Sequence, residues 1–295
     1  MNKRSPGFSG EPYRPHPARY WRRLSGDRLQ CELCPHYCFL RPGESGRCAI
    51  RRNDDGELNT YSYARISSAA YDPIEKKPLF HFRPGSRIFS IGSVGCNLNC
   101  DFCQNWRIAR HLDNGQYTDT ETLLDLAARH NSVGIAYTYN EPLINYEFIA
   151  DLAPLVHQRG LANVLVTNGF INPEPLNELL PHIDALNIDL KVFDDAVYRK
   201  ICGGRLEPVL ETIRTAVPLA HVEVTCLLIP GVNTEPEQIT ALAEALAEIS
   251  PDIPLHLSRY FPAYRSTRPP TPIPTVLAAA GSARHYLRHV HAGNI

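Results

Sequence analysis

Cys96, Cys100 and Cys103 sit in the run Gly95-Cys-Asn-Leu-Asn-Cys-Asp-Phe-Cys-Gln-Asn-Trp106, a C-x3-C-x2-C spacing with no fourth cysteine or histidine close behind. A loop carrying three thiolates this close can hold three corners of a cubane iron–sulfur cluster, because soft sulfur suits iron and the loop need not become helix or strand. The fourth iron is then open to chelate a small molecule, whereas a structural zinc site is closed by four protein ligands. For three cysteines alone, a zinc knuckle borrowing a distant ligand is the competing, less favoured reading.

Upstream, Cys31, Cys34, Cys38 and Cys48 follow C-x2-C-x3-C-x9-C and supply a complete shell of four thiolates. That shell suits a structural zinc or an auxiliary iron–sulfur cluster. The balance favours zinc, because the shell is closed and a module this short needs a metal staple. Cys202 and Cys226 read as small buried hydrophobes rather than ligands.

Such loops need a scaffold. From Ser86 onward, apolar strand-like runs at 87–93, 133–139, 162–167, 184–190, 221–229 and 253–258 alternate with helical patterns at 120–130, 144–159, 174–181, 206–217, 235–249 and 273–287. Alternation of this kind predicts an α/β fold with a parallel sheet. Its length falls short of a full eight-unit barrel, so an open, partial (β/α)6 barrel over 86–295 fits best. Residues 26–85 form a small cysteine-bearing metal-binding module with a connector, marked by turns at Pro42-Gly43, Ser45-Gly46 and Asp54-Asp55-Gly56. Residues 1–25, rich in Arg, Pro and Gly, read as a loose, flexible N-terminal arm.

Period-two alternation gives several strands one polar face. Asn187, Asp189 and Lys191 share a face, as do Glu223 and Thr225, and His256 and Ser258. Three polar faces suggest one lined cavity, where a polar ligand and a hydrogen-bond network offset the cost of burying charge. Active sites of parallel barrels lie at the carboxyl ends of strands, which is where the triad loop falls.

With these motifs in hand, the chain resembles the radical S-adenosylmethionine superfamily, whose hallmark is C-x3-C-x-aromatic-C, with Phe102 in the aromatic place. It is most similar to the AmmeMemoRadiSam system radical enzymes and, beyond them, to pyruvate formate-lyase activating enzyme. The resemblance covers Cys31 to Ile295 through Cys31-Glu-Leu-Cys-Pro-His-Tyr-Cys38, Gly43-Glu-Ser-Gly-Arg-Cys48, Asp72-Pro-Ile-Glu-Lys-Lys-Pro-Leu-Phe-His-Phe82, Tyr137-Thr-Tyr-Asn-Glu-Pro142 and Thr167-Asn-Gly169. It implies that Cys96, Cys100 and Cys103 ligate a [4Fe-4S] cluster whose open iron is chelated by S-adenosylmethionine. Tyr139-Asn140-Glu141 takes the place of the activating enzymes' Gly-Gly-Glu, so Glu141, with Asn140 beside it, would receive the cofactor's ammonium. Thr167, Asn168, Asp189 and Lys191 match strand-end motifs near its ribose and carboxylate, and His256 is the last strand's candidate. Reductive cleavage would then give a 5′-deoxyadenosyl radical that abstracts hydrogen from a substrate. A low-potential donor such as a flavodoxin or ferredoxin, and a protein or peptide substrate as for an activase, are implied as partners.

Composition narrows the alternatives. The formal charge of -1, from 30 basic and 31 acidic residues, gives no global pull toward nucleic acid or an anionic membrane. An 18-residue apolar run is absent, which excludes a spanning helix, and the polar start of the chain predicts a cytoplasmic protein without structural disulfides. An iron–sulfur electron-transfer protein without S-adenosylmethionine chemistry stays as the competing class. Only five of the basic residues are lysines, so the adjacent Lys76 and Lys77 stand out, with Glu75 and His81 nearby. They read as catalytic candidates on a substrate-facing strip, against a salt-bridged connector.

Overall fold

Eight strands lie side by side in chain order: β1 (Ser68–Pro73), β2 (Arg87–Gly92), β3 (Ser132–Tyr137), β4 (Ala162–Thr167), β5 (Ala185–Asp189), β6 (His221–Leu228), β7 (Leu255–Arg259) and β8 (Val290–Gly293). The computed structural model describes residues 14–111 and 115–295 of the chain. Strands β2 to β8 are parallel, and β1 runs antiparallel to β2. The six predicted strands are β2 to β7. The edges β1 and β8 are additions: β1 falls in the expected connector, and β8 follows the last helix. Both are short or weakly apolar, which is what an edge strand can be and a central one cannot. The sheet keeps two edges and stays open, as expected of a partial barrel.

Helices Thr120–Ala127, Tyr146–Gln158, Pro173–Leu179, Leu206–Ala216, Pro236–Ile249 and Ile273–Ala283 occupy the predicted stretches. Their starts follow from local chemistry. Asp119 accepts the Thr122 amide, and Pro173 and Pro236 stand in the first turn, where a missing N–H costs nothing. Two further helices, Trp106–Arg110 and Asp195–Cys202, were not predicted. The second is capped by Asp194, which accepts the Val197 amide at 2.9 Å, and ends at Gly203 with φ +72°.

The loose arm expected over 1–25 divides in two. Residues 1–13 lie outside the described residues, whereas His16–Pro17 pairs with Asn59 and Thr60, and Trp21–Arg23 pairs with Leu29–Cys31. His16–Pro17 and Trp21–Arg23 thus spend backbone groups in ladders with the cysteine-bearing segment rather than lying loose. That module is seated on the barrel. Arg51 and Glu147 form a fully buried ion pair at 2.8 Å, Asn172 N donates to Leu33 O at 3.1 Å, and Arg205 donates to Pro35 O at 3.0 Å.

Candidate functional site

The loop after β2 carries the cysteine triad at the carboxyl end of the sheet. Gly95 opens it with φ +86°, and a Cβ there would lie 2.7 Å from the Cys48 carbonyl oxygen. Only glycine permits that approach of the two cysteine-bearing segments. Asn97 Nδ2 then donates to Phe170 O at 2.8 Å, and Asn99 N donates to Cys202 O at 2.7 Å, which fixes the loop against the segments after β4 and β5.

Cys96, Cys100 and Cys103 line one cavity of about 340 Å³ together with Asn140, Glu141, Thr167, Asn168, Asp189, Lys191, Lys76 and Lys77. The volume suits a small-molecule site. Most of the predicted residues are thus brought together from strands far apart in sequence. Glu141 is 2% exposed and accepts from Thr167 Oγ1 at 2.7 Å, Asn168 N at 2.7 Å and Leu143 N at 2.9 Å. Burial nevertheless pushes its carboxyl up to about 7, against the pull of those donors. A buried carboxylate so placed would be held charged by an incoming ammonium. Lys191 Nζ lies 2.8 Å from Asp189 Oδ2; burial opposes its charge, but Asp189 and the neighbouring Cys100 raise it well above the lysine range.

Tyr139 has φ +71°, the left-handed backbone a glycine would take. The turn therefore takes a backbone that glycine would adopt freely, although tyrosine stands there. Asn140 does not offer its side chain to the cavity centre: Nδ2 donates to Ser93 Oγ at 2.9 Å and Gly95 O at 3.0 Å, while Oδ1 accepts from Ser93 N at 3.0 Å. It positions the start of the triad loop. Asn168 Nδ2 is directed to Asn97 Oδ1 at 2.9 Å and to the Cys96 sulfur at 3.8 Å.

The polar strand faces form two storeys rather than one cavity. Asp189, Lys191, Thr225 and Ser258 line the upper space. Below, the Pro78–Phe82 segment enters the sheet's concave side: Asn187 Nδ2 donates to Pro78 O at 2.8 Å, and Phe80 N and His81 N donate to Glu223 at 3.0 and 2.8 Å. His256 Nε2 lies 2.6 Å from Glu223 and stacks on His291, so it does not reach the cavity as expected. His81 also leaves the site, its Nε2 2.9 Å from that of His291 on the edge strand β8. Hydrogen bonds from His221, His256 and the two amides overcome burial and hold the Glu223 carboxyl well below the usual range.

All three triad thiols are pushed up: Cys96 and Cys103 chiefly by burial, and Cys100 first by its hydrogen bond with Cys202 and then by burial. Thiols in this state need a cation to ionise, which is the chemistry a cluster iron supplies. The Cys202 contact was missed, since the sequence gives no sign that its helix ends beside the triad. Burial likewise raises Cys34, Cys38 and Cys48, with the neighbouring cysteines adding repulsion. Among the described residues no three His, Cys, Asp or Glu side chains close on a single metal ion. A cluster several atoms across asks its three cysteines for a wider spread than one ion does. The same absence of a single-ion group holds for Cys31, Cys34, Cys38 and Cys48, the set expected to take zinc or an auxiliary cluster.

The sequence pattern of the Radical SAM superfamily matches residues 90–244, and the chain belongs to that superfamily. Its members bind a [4Fe-4S] cluster and S-adenosylmethionine, and the residues above fit both. The chain is 40% identical over 285 residues to an uncharacterised protein of Methanocaldococcus jannaschii, covering 94% of this chain and 85% of that one. It is 26% identical over 170 residues to pyruvate formate-lyase-activating enzyme of Clostridium pasteurianum, covering 52% of this chain and 67% of that one. Streptococcus suis SuiB bound to S-adenosylmethionine shares the fold, with TM-score 0.55 at 13% identity over 68% of this chain and 48% of that one. The protein is an enzyme of radical chemistry, and no helix among the described residues is long and apolar enough to cross a membrane.

Proposed function

We propose that this protein cleaves S-adenosylmethionine reductively and uses the 5′-deoxyadenosyl radical to abstract hydrogen from a substrate in the cavity. The observation that carries the reading is the convergence of Cys96, Cys100 and Cys103 with Glu141, Thr167, Asn168, Asp189 and Lys191 on one space. When bound, the cluster supplies the electron that breaks the cofactor's carbon–sulfur bond. Cys96, Cys100 and Cys103 would hold it, and three thiolates would leave room for the cofactor beside them. Glu141 would accept a hydrogen bond from the cofactor's amino group, Lys191 would balance its carboxylate, and the Thr167-Asn168 turn, tied to Glu141, would border the ribose. The cavity walls keep water from the reacting centre.

A low-potential flavodoxin or ferredoxin supplies the electron, and the activating-enzyme relatives support a substrate segment presented by a partner protein. The upstream cysteines hold a second metal, read as zinc. Metal analysis of protein purified anaerobically checks this: four irons and one zinc per chain are expected, and eight irons without zinc would reassign the upstream set to a second cluster. For the main reading, dithionite-reduced protein is incubated with S-adenosylmethionine and assayed for 5′-deoxyadenosine. Product from the wild type and none from Cys100→Ala is expected. An electron paramagnetic resonance signal unchanged by the cofactor, with no product, would leave an electron carrier in its place.

A further inference from the structure

Three of the chain's five lysines, Lys76, Lys77 and Lys191, line the same cavity, in a sequence that elsewhere uses arginine for nearly all its positive charge. Lys191 is paired with Asp189 and belongs to the cofactor's end. Lys76 and Lys77 are different, because they share one carboxylate: Asp72 lies 2.8 Å from Lys77 Nζ and 3.5 Å from Lys76 Nζ. Tyr139 adds a phenol donor to Asp72 at 3.0 Å. Glu75 offers no second counter-charge there, since its carboxylate turns to the Gly85 amide at 2.6 Å.

One acid facing two ammonium groups and a phenol leaves a positive charge over. A structural bridge needs one cation per carboxylate, so Lys76, whose side chain is 67% exposed, carries the surplus charge at the cavity's solvent edge. Lys77 is 3% exposed, and among the described residues its Nζ makes one hydrogen bond, to Asp72, with the Tyr139 ring centroid 4.7 Å away. An ammonium has three donors. One faces Asp72 and another the ring, so a third remains for the cavity.

Height along the sheet separates this group from the triad. Asp72 stands across from Ile88 in the antiparallel ladder, while the triad loop begins beyond Gly92. Four residues of strand put roughly 13 Å between the two backbones. The lysines' own partners are Asp72 and Tyr139, not Glu141 or Lys191, and this leaves the pair for a second ligand.

We propose that Lys76 and Lys77 form an oxyanion subsite, so that the substrate of this enzyme carries a carboxylate or a phosphate which anchors it below the cofactor. The proposal rests on the reading of the cavity as a radical S-adenosylmethionine site. Lys77 contacts the anion from the floor, Lys76 closes on it from the rim, and Tyr139, held by Asp72, sets the distance. Point charges with rotatable donors suit an anion that must approach at a fixed height but in more than one orientation.

The test is calorimetric titration of the anaerobic, cluster-loaded full chain, saturated with S-adenosylmethionine, using inorganic phosphate and succinate as probes. One anion per chain is expected, bound about tenfold more weakly by Lys76→Ala and Lys77→Met, a change typical of losing one charge-assisted hydrogen bond. Lys200→Ala, on an exposed helix face, is expected to bind as the wild type does. Lys76→Ala keeps the test sound even where Lys77→Met fails to fold, because Lys76 is 67% exposed. Tighter phosphate binding assigns a phosphate ester, and tighter succinate binding a carboxylic acid. Absence of binding, wild-type affinity in both lysine variants, or binding that saturating cofactor abolishes would each overturn the subsite. The 5′-deoxyadenosine assay run in parallel keeps the two claims apart: product without anion binding removes the subsite alone, and anion binding without product removes the cofactor reading.

Discussion

His36 Nε2 lies 2.8 Å from the carbonyl oxygen of Asn97, so a residue two past Cys34 holds the residue next to Cys96. A carbonyl only accepts, so the ring nitrogen donates. The upstream module thereby braces the triad loop directly, in addition to the contact of Gly95 with Cys48.

Removing that donor is expected to loosen the triad without emptying the upstream site. His36→Ala loses about 1 kcal/mol, a roughly fivefold faster loss of iron to a chelator. His36→Gln, which keeps a donor, retains the wild-type rate. Equal rates in all three proteins would mean that the brace carries nothing.

Gly95→Ala is expected to be far worse. The left-handed backbone alone costs about 1–3 kcal/mol, and the Cys48 carbonyl 2.7 Å from the new Cβ adds to it. A lowered thermal midpoint together with iron well below four per chain is the expected result, whereas Gly160→Ala, with nothing within 4 Å, shows the backbone cost only.

Glu141 predicts a pH dependence. Its folded value near 7 lies above the usual 4.5, so the folded protein binds the extra proton between those values. Stability from this group is therefore full below about pH 4.5 and is lost as pH rises toward 7, on the order of 3 kcal/mol. Urea midpoints of Glu141→Gln should lack that loss. With S-adenosylmethionine present, a hydrogen bond from its amino group favours the ionised form and the wild-type loss should shrink.

Glu223 behaves with the opposite sign. Its folded value lies below the usual 4.5, so its stabilisation is present above about pH 4.5 and fades as pH falls below it. Glu223→Ala leaves His256 and the Phe80 and His81 amides without their acceptor, and a loss of about 3–5 kcal/mol is expected. Hydrogen exchange at those two amides should rise in Glu223→Gln even where the protein stays folded.

The sequence by itself determined the chemistry and the scaffold. The triad spacing, the six alternating units and the motif order were legible because thiolate spacing and apolar period are local properties of the chain. The edges were not: Ser68–Pro73 and Val290–Gly293 are strands only because β2 and β7 offer them unpaired backbone. The same limit applied within the site. Alternation assigned Asn187, Asp189, Glu223, Thr225, His256 and Ser258 to inner faces, but a period of two carries no information about height. Height was decided by register and by Pro78–Phe82, which lies 109 residues from Asn187 and 143 from Glu223 along the chain. By filling the lower storey, that segment takes His256 and His81 away from the cavity and leaves Lys76 and Lys77 facing it. Tertiary contact alone selects which polar side chains are satisfied by the protein and which are left for a ligand.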